Sequence, residues 1–234
     1  MRLLESNDNI YLMNKLVIIR HGQSVWNKEN IFTGWIDAPL SEEGINQAKL
    51  AGQILKEKGF SFDLGFTSVL QRAYNTLDLI LEEMEITIPI EKSWRLNERH
   101  YGGLQGLNKD EMREKFGEEQ VEIWRRSYDI KPPIKEEDRK FKYEEIKEGE
   151  VPLTESLKDT EERLLPYWKE TIVPQILSNK KIIISAHGNS IRALIKNLEN
   201  VSGEEIVKVE IPVGIPLVYE LDDNLKVLDK YYLK

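Results

Sequence analysis

Two stretches of this 234-residue chain limit its fold more than any other feature: LVIIRHGQS at 16–24 and IIISAHGNS at 182–190. Each begins as a continuous, largely β-branched apolar run. Such a run predicts a strand covered on both faces, as in a parallel sheet with helices on either side. Each then ends in His-Gly-x-Ser, and the two frames hold two of the chain's three histidines. In open α/β sheets, ligands bind at the carboxyl ends of the strands. Glycine after the histidine lets the backbone turn sharply or come close to a ligand. The element that opens next presents free N–H groups to an anion. A histidine placed there suits phosphate chemistry, as a neutral nucleophile or as a protonated donor. Arg20 closes the first run, and a guanidinium at the end of a buried strand needs an anionic partner.

Between and around these runs the pattern alternates. Ser41 reads as the N-cap of a helix with Glu42 and Glu43 in its first turn and Gly59 at its C′ position. Ile45, Ala48, Ala51 and Leu55 recur along it at helical spacing. FDLGFTS predicts a short strand, SVLQRAYNTLDLILEEM a helix, and ITIPIEKSWRLNE an extended segment. After the loop RHYGGLQGLN come two helical stretches, NKDEMREKFG and GEEQVEIWRRSYD. Residues 129–153 are charge-dense and interrupted by proline, an irregular excursion long enough to serve as a lid. LKDTEERLLPYWKETIVPQIL is a helix that Pro166 and Pro174 should bend or interrupt. KKIIISA is the second buried strand, HGNSIRALIKNLEN its following helix, and GIPLVYELDDNLKVLDKYYL a hairpin turning at Asp223-Asn224. The alternation predicts a three-layer α/β fold with a mostly parallel central sheet flanked by helices. Residues 15–234 read as a single catalytic domain, with 99–153 an inserted helical and loop subdomain acting as lid. Residues 1–14 read as an N-terminal extension, because MRLLESNDNIYLM lacks the pattern of a signal peptide and Met13 stands just before the first strand.

Composition removes whole classes of function. A net charge of −8 argues against nucleic acid or an anionic membrane as partner, and an anionic small-molecule substrate then requires positive charge gathered locally. No apolar run approaches the ~20 residues of a membrane span. The chain has no cysteine, so neither a disulfide framework nor a thiolate metal site is available, and a cytoplasmic location is the natural expectation.

The blocks RHGQSVWNKENIFTGWIDAPLSEEG, TSVLQRAYNTL, LNERHYGGLQGLNK, WRRSYD, AHGNS and GIPLVYEL together resemble the cofactor-dependent phosphoglycerate mutases, within the histidine phosphatase superfamily, over residues 15–233. The resemblance implies that His21 accepts a phosphoryl group, that 2,3-bisphosphoglycerate primes it, and that 3- and 2-phosphoglycerate interconvert in glycolysis and gluconeogenesis without a metal. It places Arg20, Arg72 and His187 around the phosphate, with Asn27, Gly188 and Asn189 as further contacts, and makes Glu98 the acid/base. Two guanidiniums beside His21 would lower its pKa and keep it neutral. Ser24, Thr33, Gly34, Arg99, Tyr101, Lys109, Arg125 and Arg126 match the family's substrate contacts. Consecutive helical residues lie about 100° apart, so Arg125 and Arg126 should not face one way unless a lid crosses the site. His100 reads as structural or rim-forming, and the five tryptophans as core or lid packing. The resemblance also implies a homodimer or homotetramer.

Two other readings compete with this one. A bisphosphoglycerate mutase or phosphatase would use the same site, although Ser24 and Thr33-Gly34 favour the glycolytic reaction. A catalytically silent phosphate reader would be expected to have lost at least one of His21, Glu98, Arg20, Arg72 and His187. Many members of the family continue past the final strand with a tail that covers the site. This sequence stops at YYLK, so faster hydrolysis of the phosphohistidine is expected.

Overall fold

The computed structural model describes residues 14–134, 146 and 151–234. Its centre is a six-stranded sheet formed by β1 (Asn14–Arg20), β2 (Leu64–Thr67), β3 (Ile90–Lys92), β4 (Ile182–Ala186), β5 (Leu217–Leu221) and β6 (Val227–Tyr232), in the order β3-β2-β4-β1-β5-β6. The first four strands run parallel, β5 pairs antiparallel with β1, and β6 antiparallel with β5. The two apolar runs lie side by side at the middle. Leu16 and Ile18 of β1, with Ile182 and Ile184 of β4, enter one apolar cluster; Val17, Ile19 and Ile183 enter another. Period-two side-chain alternation thus feeds two cores from one strand, and this is why the runs carry no polar face.

The helices are α1 (Val25–Lys28), α2 (Glu42–Glu57), α3 (Gln71–Glu83), α4 (Lys109–Phe116), α5 (Glu118–Arg126), α6 (Leu157–Tyr167), α7 (Val173–Leu177), α8 (Gly188–Glu199) and α9 (Gly203–Ile206). α2 and α3 cover one face of the sheet through Ala51, Leu55, Leu77 and Ile80. α6, α7 and α8 cover the other through Leu157, Leu164, Ile176, Ile191 and Leu194. α4 and α5 stand apart on a small core of their own, Phe32, Leu104, Met112 and Val121.

Several local expectations are met and others are revised. Ser41 caps α2 by accepting from Gly44 N at 3.1 Å, and Gly59 takes φ +72° just beyond the helix. Ile45, expected inside, is 37% exposed; the inward position belongs to Gly44. A Cβ on Gly44 would lie 2.0 Å from the carbonyl oxygen of Gln23, so only glycine lets α2 pack directly on the backbone after His21. The extended segment 86–98 contains only the three residues of β3 and a 3₁₀ turn at Trp94–Leu96. The helix expected over 157–177 widens into a π turn at Trp168–Ile172 before Pro174, which lacks the N–H and crowds the carbonyl four residues earlier. The closing hairpin turns on Asp222, whose Oδ1 accepts from the N–H groups of Asn224 and Lys226. Asn14, assigned from sequence to the extension, is buried as the first residue of β1, and residues 1–13 lie outside the described residues. The lid expected at 99–153 is described as a 3₁₀ turn at Gly102–Leu104, then α4, α5 and irregular backbone to Ile134. Of the rest of that excursion, 135–145 and 147–150 lie outside the described residues. Among the described residues, no helix is long and apolar enough to cross a membrane.

Candidate active site

Parallel pairing in register sets Arg20 beside Ala186, so the residues that follow the two strands become neighbours. His21 N donates to Ala186 O at 3.0 Å, and the imidazoles of His21 and His187 meet edge to face with centroids 4.9 Å apart. The Nδ1 of His21 lies 2.6 Å from Gly22 O. A carbonyl only accepts, so Nδ1 carries the proton and Nε2 the lone pair. Burial, then the guanidiniums of Arg72 and Arg20, hold the pKa of His21 well below its ordinary value.

His187 is fully buried behind His21 and does not line the cleft. Burial and the charge of Arg72 lower its pKa in the same way. Its Nε2 meets the hydroxyl of Ser68 at 2.7 Å, and that oxygen already accepts from Leu70 N. The hydroxyl proton of Ser68 has no other acceptor among the described residues, so it points to Nε2, which leaves Nδ1 of His187 as a buried N–H without a partner there. Ser68 was not singled out from sequence. Its signal is its place at the carboxyl end of β2, one strand over from β4.

The cleft at this edge spans about 700 Å³, the open solvent at its mouth included. Its walls carry Arg20, Arg72, Lys109, Arg125, Arg126 and Arg192 against two carboxylates, Glu98 and Glu210, with Asn27, Thr33, Gly34, Tyr101, Gly188 and Asn189 completing most of the lining. A chain of net charge −8 thus gathers six cations at one place. Three of them, Arg20, Arg72 and Arg192, are held by backbone carbonyls. Arg20 Nη1 donates to Ile211 O at 3.0 Å. Arg72 Nη1 and Nη2 donate to Ile36 O and Gly34 O at 2.9 and 2.6 Å, and Gly34 takes φ +56° to present that carbonyl. Lys109 opens α4, and burial lowers its pKa. Arg125 and Arg126 both reach the cleft, against the expectation from ideal helical spacing, because α5 ends at Arg126 and the pair occupies its last turn. Arg192, unnoticed in the sequence, stands one turn after Gly188 on α8. It donates from Nε to Val209 O at 2.9 Å, and burial with repulsion from Arg126 lowers its pKa to about 10.

Glu98 faces this group from the segment after β3. Its Oε1 accepts from Arg99 N at 2.8 Å and from Asn189 N, at the start of α8, at 3.1 Å. A Cβ on Gly188 would stand 3.7 Å from its Oε2. The segment itself is clamped. Arg163 of α6 donates to the carbonyls of Arg95, Asn97 and Glu98 at 2.6, 2.9 and 2.9 Å and pairs with Glu155 at 2.6 Å, while Trp35 Nε1 donates to Glu98 O at 2.5 Å. Asn189 Nδ2 donates to the hydroxyl of Tyr101 at 3.2 Å. Burial alone would raise the pKa of Tyr101, but the guanidinium of Arg99 and these hydrogen bonds carry it below its ordinary value.

Two other residues expected to contact substrate lie outside the lining. Ser24 is fully buried as the N-cap of α1, accepting from Asn27 N at 3.1 Å, and so shapes the turn that presents Asn27. Arg99 is fully buried and donates to Trp124 O and Arg125 O at 2.9 and 2.8 Å, holding the end of α5 from beneath. His100 is structural: its Nδ1 accepts from Gly102 N at 3.0 Å, and burial followed by the charge of Arg163 lowers its pKa to about 4. Among the described residues no group of three or more His, Asp or Glu could hold a metal ion.

The family model for the histidine phosphatase superfamily (branch 1) matches residues 16–233. Among solved structures, the fold is similar to a mycobacterial glucosyl-3-phosphoglycerate phosphatase bound to VO3, at 24% identity and TM-score 0.68, over 88% of this chain and 92% of that one. It is also similar to YhfR of Bacillus stearothermophilus, at 21% identity and TM-score 0.71 over 91% and 93% of the two chains. For the α-ribazole phosphatase of Shigella flexneri the values are 20%, 0.70, and 94% and 96%.

Proposed function

Because the chain belongs to the histidine phosphatase superfamily, branch 1, we propose that it is a phosphoglycerate mutase that interconverts 3- and 2-phosphoglycerate through a phosphohistidine on His21. One observation carries the reading. His21, whose Nε2 keeps its lone pair, lines a cleft that gathers six cations, more than one phosphate group needs, with a carboxyl group clamped in the same wall. Arg20 and Arg72 lie nearest His21 and suit the transferring phosphoryl group; Lys109, Arg125, Arg126 and Arg192 suit a second anionic group on the same molecule. Removal of a single phosphate needs only the first set.

In the forward sense His21 Nε2 attacks phosphorus, the ester P–O bond breaks, and the leaving oxygen takes a proton from Glu98. In the reverse sense Glu98 takes the proton from a substrate hydroxyl as that oxygen attacks the phosphohistidine. Charge on the equatorial oxygens is met by the forked donors of Arg20 and Arg72, since phosphoryl transfer is mostly positioning and electrostatic stabilisation. The unpartnered Nδ1–H of His187 is a further donor, satisfied once an anion lies beside His21. The same donor set fits 2,3-bisphosphoglycerate as the priming substrate, and the scheme needs no metal.

The test is conversion of 3- to 2-phosphoglycerate in excess EDTA, with and without catalytic 2,3-bisphosphoglycerate, for the wild type and His21→Ala. Activity that survives EDTA, rises with the bisphosphate and vanishes in the variant is the expected result. Release of inorganic phosphate without isomerisation would instead place the chain with the phosphatases its fold is similar to.

A further inference from the structure

We infer that Glu210 is a built-in counter-anion of the cleft, one that weakens the binding of its ligands in proportion to their negative charge. The inference rests on the phosphoglycerate reading above and adds to it a residue that sets selectivity. Glu210 Oε1 stands 3.1 Å from Arg126 Nη2. It lies on the cleft wall, on a segment whose flanking carbonyls are each held by a cleft arginine: Val209 O by Arg192 Nε, and Ile211 O by Arg20 Nη1. That backbone is therefore fixed by the same cations that face the ligand, while the Glu210 side chain is 77% exposed and free to leave Arg126. The second carboxylate, Glu98, is anchored by two backbone N–H groups and is not free in this way.

A ligand that brings an anionic group to Arg126 must displace Glu210 and then tolerate its charge at the cleft mouth. Coulomb repulsion scales with the charge of the ligand. A phosphate ester carries about −1.5 to −2 at neutral pH, so 3-phosphoglycerate carries about −3 and 2,3-bisphosphoglycerate about −5. An exposed ion pair is worth a few-fold in binding. Removing the charge should tighten the monophosphate about threefold and the bisphosphate roughly sixfold. In the native chain Glu210 thus eases release of the bisphosphate more than that of the substrate.

The experiment is calorimetric binding of both ligands to full-length His21→Ala, which cannot be phosphorylated at that position, alone and combined with Glu210→Gln or Glu210→Asp. Glu210→Gln is expected to tighten both ligands, the bisphosphate more, with the difference collapsing in 0.5 M KCl (about 4 Å of screening length). Glu210→Asp keeps the charge and is expected to keep the parent's ratio of affinities, which a merely structural role would not require. Unchanged affinities, an equal factor for both ligands, or weaker binding in Glu210→Gln overturn the inference and leave the mutase reading intact. Absence of isomerisation by the wild type overturns the mutase reading and this inference with it.

Discussion

At the scale of single residues, the site depends on what is small as much as on what is charged. A Cβ on Gly22 would lie 2.2 Å from Gly44 O, and one on Gly44 would lie 2.0 Å from Gln23 O. Both obstacles are backbone, so neither can step aside by changing rotamer. Gly44→Ala should therefore cost roughly 2–4 kcal/mol by urea unfolding and displace the turn that carries His21. A mutant as stable as the wild type would show that α2 can shift freely. Ser68→Ala tests the other histidine. The fold should survive, but without the hydroxyl that fixes its tautomer His187 should be a poorer donor, and kcat should fall about tenfold with KM little changed. His21 and His187 were legible in the sequence because each follows an unmistakable strand. Arg192 and Glu210 were not, because a lone charge on a helix or in a loop carries no local sign that it faces a cleft.

At the scale of elements, periodicity made β1, β4, α2 and α8 readable, since each turns a regular pattern of side chains toward a core. The segment from Trp94 to His100 had no such pattern. Its shape is imposed from outside by Arg163, which bonds to several of its carbonyls and whose side chain is only 8% exposed. A partner so distant in sequence leaves no periodic trace beside Glu98. Arg163→Met should unpair Glu155 in a buried place and cost about 3–5 kcal/mol. It should also lower kcat by more than it raises KM, because Glu98 loses its frame while the cations of the cleft remain. A variant destabilised to that extent with full kcat would separate the clamp from the chemistry.

At the scale of the whole molecule, all three histidines are held neutral by burial, and the consequence is a dependence of stability on pH. Below an ordinary histidine pKa of about 6.5 the unfolded chain takes up protons that the folded chain refuses. Stability is therefore full above about pH 7 and lost as pH falls from about 6.5 toward the folded value, about 4 for His100. His100 alone should account for about 2 kcal/mol of loss at pH 5. Urea unfolding at pH 7 and pH 5 checks this: His100→Gln, which does not titrate, should lose about 2 kcal/mol less on acidification than the wild type. Equal losses would mean that His100 accepts its proton within the fold. The α/β class was readable from the alternation of runs along the chain. The separate core under α4 and α5 was not, because Phe32 reaches it from far upstream.

The central pairing of β1 with β4 also fixes when the protein can first act. β1 leaves the ribosome well before β4, because the two paired strands lie far apart in sequence. Until then β1 has no parallel neighbour, His21 has no carbonyl of Ala186 to donate to, and Glu98 has no α8 terminus to hold it. Contacts so distant in sequence form late and slowly. A nascent or truncated chain that stops short of β4 therefore carries the nucleophile but no working centre. Turnover by this protein is accordingly a report that β4 has been made and the middle of the sheet has closed.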